Sequence, residues 1–401
     1  MKTLVSSHKV PTPAVPRRLK LALIGGPEVQ LRLALAEYLV QDFDLYVLGS
    51  SRSAGPIFKH VGVDYRPYPM TRGINPWRDF ITLLCLRRHL RSIRPDLVHT
   101  YDSKPCALGR IAAWIGRVPV IIGTYPGMGS LYGSNRLRIR LVRVIYEVIQ
   151  ALACRVSTLS IVQNADDLED FISRGVMLRS KTIIVRGSGV NTRAFRPDRL
   201  AAQEAAKLRQ SLGLSATTLV VTMVSRVIRS KGVLEFAAAA DQLRKTEPRA
   251  HFVLIGQVDA ESPDRLNARE LATLRHSVHW LGRRDDIAEL LCITDVFVLP
   301  TSLMEGIPRV LLEAAASGLP IVTSDTRGCR DVVEHGKTGL LIKPGDSVEL
   351  SHAILSLLGD PVRRSSLGKE ARRRVIQEFD SDLIYGQLTR VYREQMGGAR
   401  S

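Results

Sequence analysis

Aromatic residues make up only 5% of this 401-residue chain, cysteines number five, and no apolar run reaches the roughly 18–20 residues that a membrane span requires. Cys85, Cys106, Cys154, Cys292 and Cys329 are scattered, odd in number and form no Cys-x-x-Cys pair. That argues for a reduced, cytoplasmic setting rather than a disulfide framework. Residues 1–18 are polar and proline-containing, without the apolar core of a secretion signal, and are expected to be a disordered lead-in. Acidic residues are scarce as well: 39 Asp and Glu against 57 Lys and Arg leave a formal net charge of +18. Such a charge suits nucleic acid, an anionic membrane surface or anionic substrates. With no zinc-ligand spacing, RNA-binding aromatic motif or helix-turn-helix signature, a membrane surface is the favoured partner and nucleic acid the disfavoured one.

What is present is an ordinary globular composition, 45% hydrophobic and 24% charged, in a chain long enough for two domains. Apolar runs read as strands at 19–25, 43–49, 96–101, 118–125, 157–164 and 182–187, and a second set follows at 219–226, 250–256, 278–282, 295–301, 320–325 and 339–343. Helical patterns lie between most of them, at 29–39, 81–93, 232–244 and 287–291 among others. Near-continuous apolar strands alternating with helices predict parallel sheets covered on both faces. Two such sets give an α/β class with two doubly wound, Rossmann-like domains facing a central cleft. The expected division is 1–18 lead-in, 19–195 first domain and 196–378 second domain, with helical spacing again at 379–396. Ligands of such sheets bind beyond the carboxyl ends of the strands.

The most informative stretch is Glu305-Gly-Ile-Pro-Arg-Val-Leu-Leu-Glu313. A buried strand empties into a short loop carrying Glu305, Pro308 is expected in the first helical turn, and Gly318-Leu-Pro320 stops the helix. The free N–H groups and positive end of that helix would face the crevice. Carboxylates around an amide-rich helix start suit a ligand with both hydroxyls and phosphates, such as a nucleotide sugar. Upstream, Arg226-Val-Ile-Arg-Ser-Lys231-Gly232 places two cations in another strand-to-helix loop.

These segments resemble retaining glycosyltransferases of the large family 4, which have the two-domain GT-B fold, and Gln163-Asn-Ala-Asp-Asp167 and Arg186-Gly-Ser-Gly-Val-Asn191 resemble a subgroup of it concerned with bacterial surface polysaccharides. The resemblance runs from about residue 19 to 392 and is strongest after Arg226. It implies that Arg226 and Lys231 grip the donor diphosphate, doing what a divalent metal does elsewhere, so that no metal and no separate cofactor is needed. Glu305 would hold a hydroxyl of the donor sugar and stabilise positive charge at its anomeric carbon, and Glu313 would accept the ribose hydroxyls. Backbone groups of Gly306, Ile307, Pro308 and Arg309 would meet sugar or phosphate oxygens. Gly256 would lie close to the donor, and Arg283, in Trp280-Leu-Gly-Arg283, at the nucleotide base. Asp325 and Arg327 read as packing and loop-fixing residues. A C-terminal helix crossing back to the first domain is also implied for 379–396.

On the acceptor side, Gly25-Gly26-Pro27 follows the first strand and offers a close backbone approach at Gly26. His99 and Asp102 match a family position near the cleft, and Lys104 is placed to meet an anionic acceptor. The departure from the pattern is Pro126, where many members carry a His that orients the donor sugar. Either Tyr125 or His99 takes that task or the subgroup does without it. Arg87, Arg88, Arg91 and Arg94 interleave with leucines on one helix, and Arg136, Arg138, Arg140 and Arg143 with aliphatics on another. Basic amphipathic helices of this kind bind anionic lipid at about 1 kcal/mol per basic residue. The expected function is therefore transfer of a hexose or N-acetylhexosamine from a nucleotide diphosphate sugar, UDP favoured, to a lipid-linked or oligosaccharide acceptor. The expected location is cytoplasmic, peripheral on the inner face of the membrane. A nucleotide-sugar epimerase, or a nucleotide-sugar-binding scaffold, is the alternative.

Overall fold

The computed structural model describes residues 17–398 apart from Arg72, Ile74, Pro126 and residues 128–136, and excludes the side chains of 137–139. The expectations for the lead-in, for Pro126 and for the side chains of Arg136 and Arg138 fall outside the described residues.

Two parallel sheets organise the chain. The first set comprises β1 (Lys20–Ile24), α1 (Leu33–Leu39), β2 (Asp44–Gly49), α2 (Gly55–His60), β3 (Asp64–Pro67), α3 (Pro76–Ile93), β4 (Leu97–Thr100), α4 (Ser103–Ile115), β5 (Val120–Thr124), α5 (Leu137–Val156), β6 (Leu159–Val162), α6 (Ala165–Ser173) and β7 (Thr182–Ile184). The second comprises α7 (Ala202–Ser211), β8 (Leu219–Val224), α8 (Val233–Leu243), β9 (Ala250–Ile255), α9 (Ala268–Ser277), β10 (His279–Trp280), α10 (Ile287–Cys292), β11 (Val296–Leu299), α11 (Arg309–Ala316), β12 (Ile321–Ser324), α12 (Cys329–Val332), β13 (Gly339–Ile342), α13 (Ser347–Leu358), α14 (Pro361–Glu378) and α15 (Ser381–Gly398).

Strand order is β3-β2-β1-β4-β5-β6-β7 in the first sheet and β10-β9-β8-β11-β12-β13 in the second. Each order reverses direction once, between β1 and β4 and between β8 and β11, which creates a crevice above each reversal. The short central strands β4, β11 and β12 are buried at every position, as strands covered by helices on both faces must be. Strand β3 was not expected from the sequence. It lies at the sheet edge and its Asp64-Tyr-Arg-Pro67 is only partly buried, so no apolar run marks it.

The two cores have separate memberships. Val221, Phe236, Phe297, Leu312 and Phe379 belong to the second, and Leu21, Leu23, Leu45 and Ile122 to the first. The C-terminal helix α15 joins the first core, burying Ile384, Leu388 and Tyr392 against it. Tyr392 donates or accepts a 2.6 Å bond with His99 Nδ1, whose Nε2 meets Thr124 Oγ1 at 2.7 Å. Burial holds the His99 imidazole well below its usual pKa, so it stays neutral. His99 thus ties α15 to the first sheet; it is fully buried and presents nothing to the cleft.

Candidate active site

Both crevices are closed by a bond across the strand reversal. In the first, the Gly26 N–H donates to Asp102 Oδ2 at 2.7 Å, joining the loop after β1 to the loop after β4. A Cβ at Gly26 would come within 3.2 Å of that oxygen, so a larger residue there would push the Asp102 carboxylate aside by a few tenths of an ångström. Asp102 pays for its position with a left-handed backbone, φ 63°. Lys104, expected to meet an acceptor, instead pairs with Asp79 and donates to the Thr71 and Gly73 carbonyls at 2.8 and 2.6 Å. It fastens the start of α3 to the start of α4.

In the second crevice, Lys231 Nζ lies 2.7 Å from both carboxylate oxygens of Glu305. Lys231 is buried and Glu305 half-buried, and Thr301 Oγ1 adds a 3.2 Å bond to Glu305 Oε1. The loops are further stitched by Ser302 N–H to the Ser230 carbonyl at 2.9 Å. Gly232 makes this possible: with φ 79° it turns the chain into α8, and a Cβ there would lie 2.1 Å from the Pro300 carbonyl oxygen. Arg226 stands at the same mouth, half exposed, paired with Asp259 at 2.8 Å. A lysine with a carboxylate, next to an arginine at the rim, can hold an anion and a hydroxyl side by side.

Helix α11 begins one residue later than expected. Pro308 is its N-cap, with extended backbone (ψ 115°), because a proline there forces no loss of an N–H bond. Glu313 is buried on α11 and accepts from Arg309 Nε at 2.8 Å. Burial raises its carboxyl above the usual carboxylate range, and the Arg309 guanidinium opposes that. The backbone N–H of Ile307, expected to meet a ligand oxygen, donates to Gln163 Oε1 at 2.8 Å. Gln163 follows β6 in the first sheet, so this bond crosses the cleft. Beside it, a Cβ at Gly127 would lie 2.2 Å from the Gly306 nitrogen, so the two backbones touch.

Gly256 is occupied structurally. A Cβ there would meet the Ser225 carbonyl oxygen at 1.8 Å, and its own carbonyl accepts from Trp280 Nε1 at 2.8 Å. Arg283 is exposed and pairs at 3.5 Å with Asp285. Arg327 reaches from the second sheet to α6 of the first, 2.6 Å from Asp170 and 3.6 Å from Asp167, and Arg330 lies 3.6 Å from Asp166. Sequence reasoning had not given Gln163 or these arginine–aspartate pairs a role across the cleft. Gln163-Asn164-Ala-Asp-Asp167 is visible as a motif, but nothing in one strand-end segment says that a distant loop donates to it.

Two family models match consecutive parts of the chain. The glycosyl transferase 4-like domain covers residues 25–183 and glycosyl transferases group 1 covers 204–374. The chain carries both a glycosyl transferase 4-like domain and a group 1 glycosyltransferase domain. Among curated relatives, the transferase is 29% identical over 335 residues to the N,N'-diacetylbacillosaminyl-diphospho-undecaprenol alpha-1,3-N-acetylgalactosaminyltransferase of Campylobacter jejuni, covering 83% of this chain and 86% of that one. It is 28% identical over 368 residues to the UDP-Gal:alpha-D-GlcNAc-diphosphoundecaprenol alpha-1,3-galactosyltransferase of Escherichia coli, covering 90% and 91%. Among solved structures, Anabaena HepE in complex with UDP and glucose superposes with a TM-score of 0.77 at 20% identity, covering 94% of the transferase and 100% of HepE. That likeness establishes the fold, two Rossmann-like domains in the GT-B arrangement. The relatives act on lipid-linked or polysaccharide substrates, and no helix among the described residues is long and apolar enough to cross a membrane.

Proposed function

We propose that this transferase moves a hexosyl or N-acetylhexosaminyl group from a UDP-sugar to a hydroxyl of a glycan carried on a polyprenyl diphosphate, with retention of configuration, at the inner face of the membrane. The observation that carries the reading is the Lys231–Glu305 pair at the second strand reversal with Arg226 at its rim. Arg226 and Lys231 offset the charge that develops on the departing diphosphate, the part a divalent ion plays elsewhere. Glu305 hydrogen-bonds a sugar hydroxyl and faces the positive anomeric carbon. Glu313 takes the ribose hydroxyls, sharing its carboxylate with Arg309. Gly306, Pro308 and Arg309 form the donor wall, with Arg283 toward the base. Residues 19–195 supply the acceptor side and 196–378 the donor side.

Both oxygens of the Glu305 carboxylate are engaged by Lys231, and one also by Thr301, which favours front-face displacement over attack by that carboxylate. The acceptor oxygen bonds to the anomeric carbon as the bond to the diphosphate oxygen breaks, and that phosphate oxygen takes the acceptor proton. The UDP choice is supported by the E. coli relative's donor, and the acceptor by the diphospho-undecaprenol substrates of both relatives.

The test is transfer from a panel of UDP-, GDP- and ADP-sugars to a short-chain polyprenyl diphosphate glycan, with the anomeric configuration of the product read by NMR. Glu305→Gln should keep UDP binding and lose transfer by about a hundredfold or more, the scale of one lost transition-state contact. Donor conversion without any acceptor would point to an epimerase, and nucleotide binding without turnover to a scaffold.

A further inference from the structure

Helix α5 is packed inside out. Its buried side is built from Gln150, Ala151, Ala153 and Cys154, while Leu141, Val144, Ile145, Val148, Ile149 and Leu152 face solvent. Those six recur at intervals of three and four residues and so form one stripe along about three turns. Leu141 and Val148 are each 64% exposed. A surface helix ordinarily buries its large aliphatic stripe, because each such side chain left in water forgoes part of the hydrophobic gain.

The neighbouring helices repeat the feature. On α3, Trp77, Phe80, Ile81 and Leu84 are exposed at the same spacing, Trp77 at 69%, and Arg88 and Arg91 continue that stripe. Helix α4 touches both α3 and α5, lies between them, and exposes Trp114 and Ile115 at its end. All three cover the same face of the first sheet, beside the crevice that would receive the acceptor. Both α3 and α5 therefore expose an apolar stripe, with Arg88 and Arg91 continuing that of α3 and Arg140 exposed on α5.

We infer that the α3–α4–α5 face seats in the headgroup and acyl boundary of an anionic bilayer, as a monotopic surface rather than a purely electrostatic one. Charge identifies the occupant. The three helices carry ten Lys and Arg, of which Arg110 is buried, but only two acids, Asp79 and Glu147. Those acids are already paired, Asp79 with Lys104 and Glu147 with Arg174 at 3.4 Å. A second copy of this chain would bring the same positive rim against itself, whereas an anionic lipid surface matches both the apolar stripe and its border. Trp77 and Trp114 are the amphipathic rings suited to headgroup depth. This inference deepens the lipid-linked acceptor reading and rests on it, since seating the acceptor-side domain brings its crevice to where a polyprenyl diphosphate emerges.

The experiment is flotation of the full chain with phosphatidylcholine vesicles containing 30% phosphatidylglycerol (a composition of about one anionic lipid in three). The comparison is Ile145→Asp/Val148→Asp, and oligomeric state is measured in parallel. These residues are exposed, so the variant should fold, which an unchanged UDP-induced thermal shift verifies independently of any lipid. Its vesicle partition coefficient should fall by about tenfold or more. Wild-type binding should survive 1 M salt in large part, where screening acts over about 3 Å. Brominated lipid should quench wild-type tryptophan emission, and Trp77→Phe together with Trp114→Phe should remove most of that quenching. Absence of vesicle binding by the wild type, equal binding by the variant, or a wild-type dimer that the variant turns into a monomer would each overturn the inference. Failure of nucleotide binding in both proteins would instead sink the donor reading and leave the flotation result intact.

Discussion

The Gln163 side-chain oxygen accepts the Ile307 backbone N–H at 2.8 Å, so an amide at the end of a first-sheet strand holds the loop that carries Glu305. Both residues are buried, and the donor loop is therefore shaped partly by the opposite domain. Gly127 against Gly306 and Arg327 against Asp170 add to the same contact.

Gln163→Leu leaves the Ile307 N–H buried without a partner. The expected cost is about 1–3 kcal/mol of stability, with a rise in donor KM as the Glu305 loop loses its support. Thermal denaturation and donor titration check this. An unchanged melting temperature together with an unchanged KM would mean that the loop holds its shape unaided.

Because Lys231 Nζ serves both Glu305 oxygens, the two residues should be strongly coupled. In a cycle of Lys231→Ala, Glu305→Ala and the double variant, the double should cost less than the two singles together. A coupling of about 1–3 kcal/mol is expected, between the values of exposed and buried ion pairs. Denaturant unfolding measures it, and additive single effects would show that the pair contributes no mutual stability.

Glu313 has its carboxyl raised by burial, with Arg309 opposing the shift. If the ionised carboxylate binds ribose hydroxyls, UDP affinity falls as pH drops through the Glu313 pKa. Arg309→Met removes the opposing charge and should move that acid limb to higher pH, while Glu313→Gln should abolish the limb and weaken binding about ten- to a hundredfold. Calorimetric titration of UDP across pH reads both. An acid limb in the same place in all three proteins would assign it to another group.

Burial pushes the Asp167 carboxyl up to about 6, against the bonds from Asn164 and the charge of Arg327 that pull it down. The folded chain therefore holds this proton at a pH where the unfolded chain has released it. The associated stability is complete below about 4 and is lost as pH rises through 6, an effect on the order of 2–3 kcal/mol. Asp167→Asn should flatten this decline when melting temperatures are compared between pH 4 and 7. A wild-type profile parallel to that of the variant would remove Asp167 from the account.

Much of the plan was legible in the residues in order. Apolar runs separated by helical spacing specify strands and helices locally, because burial on both faces of a parallel sheet demands continuous apolar strands. The edge strand β3 escaped for the same reason, since one open side relieves its residues of that demand. The placement of Glu305, Arg226 and Lys231 near strand ends was also readable, because strand-to-helix loops put them there by chain connectivity, and Glu313 follows on the helix after Glu305.

Contacts between residues far apart in sequence were decided only by the tertiary structure. Gln163 and Ile307 are 144 positions apart, and His99 and Tyr392 are 293 apart, so no local pattern couples them. The same holds for the outward stripe of α5. Helical periodicity reports that Leu141, Ile145 and Val148 share a face, but not which way the face points. That is settled by neighbours, here small residues such as Ala151 and Ala153 that let α5 lie close to the protein while its larger side chains remain outside.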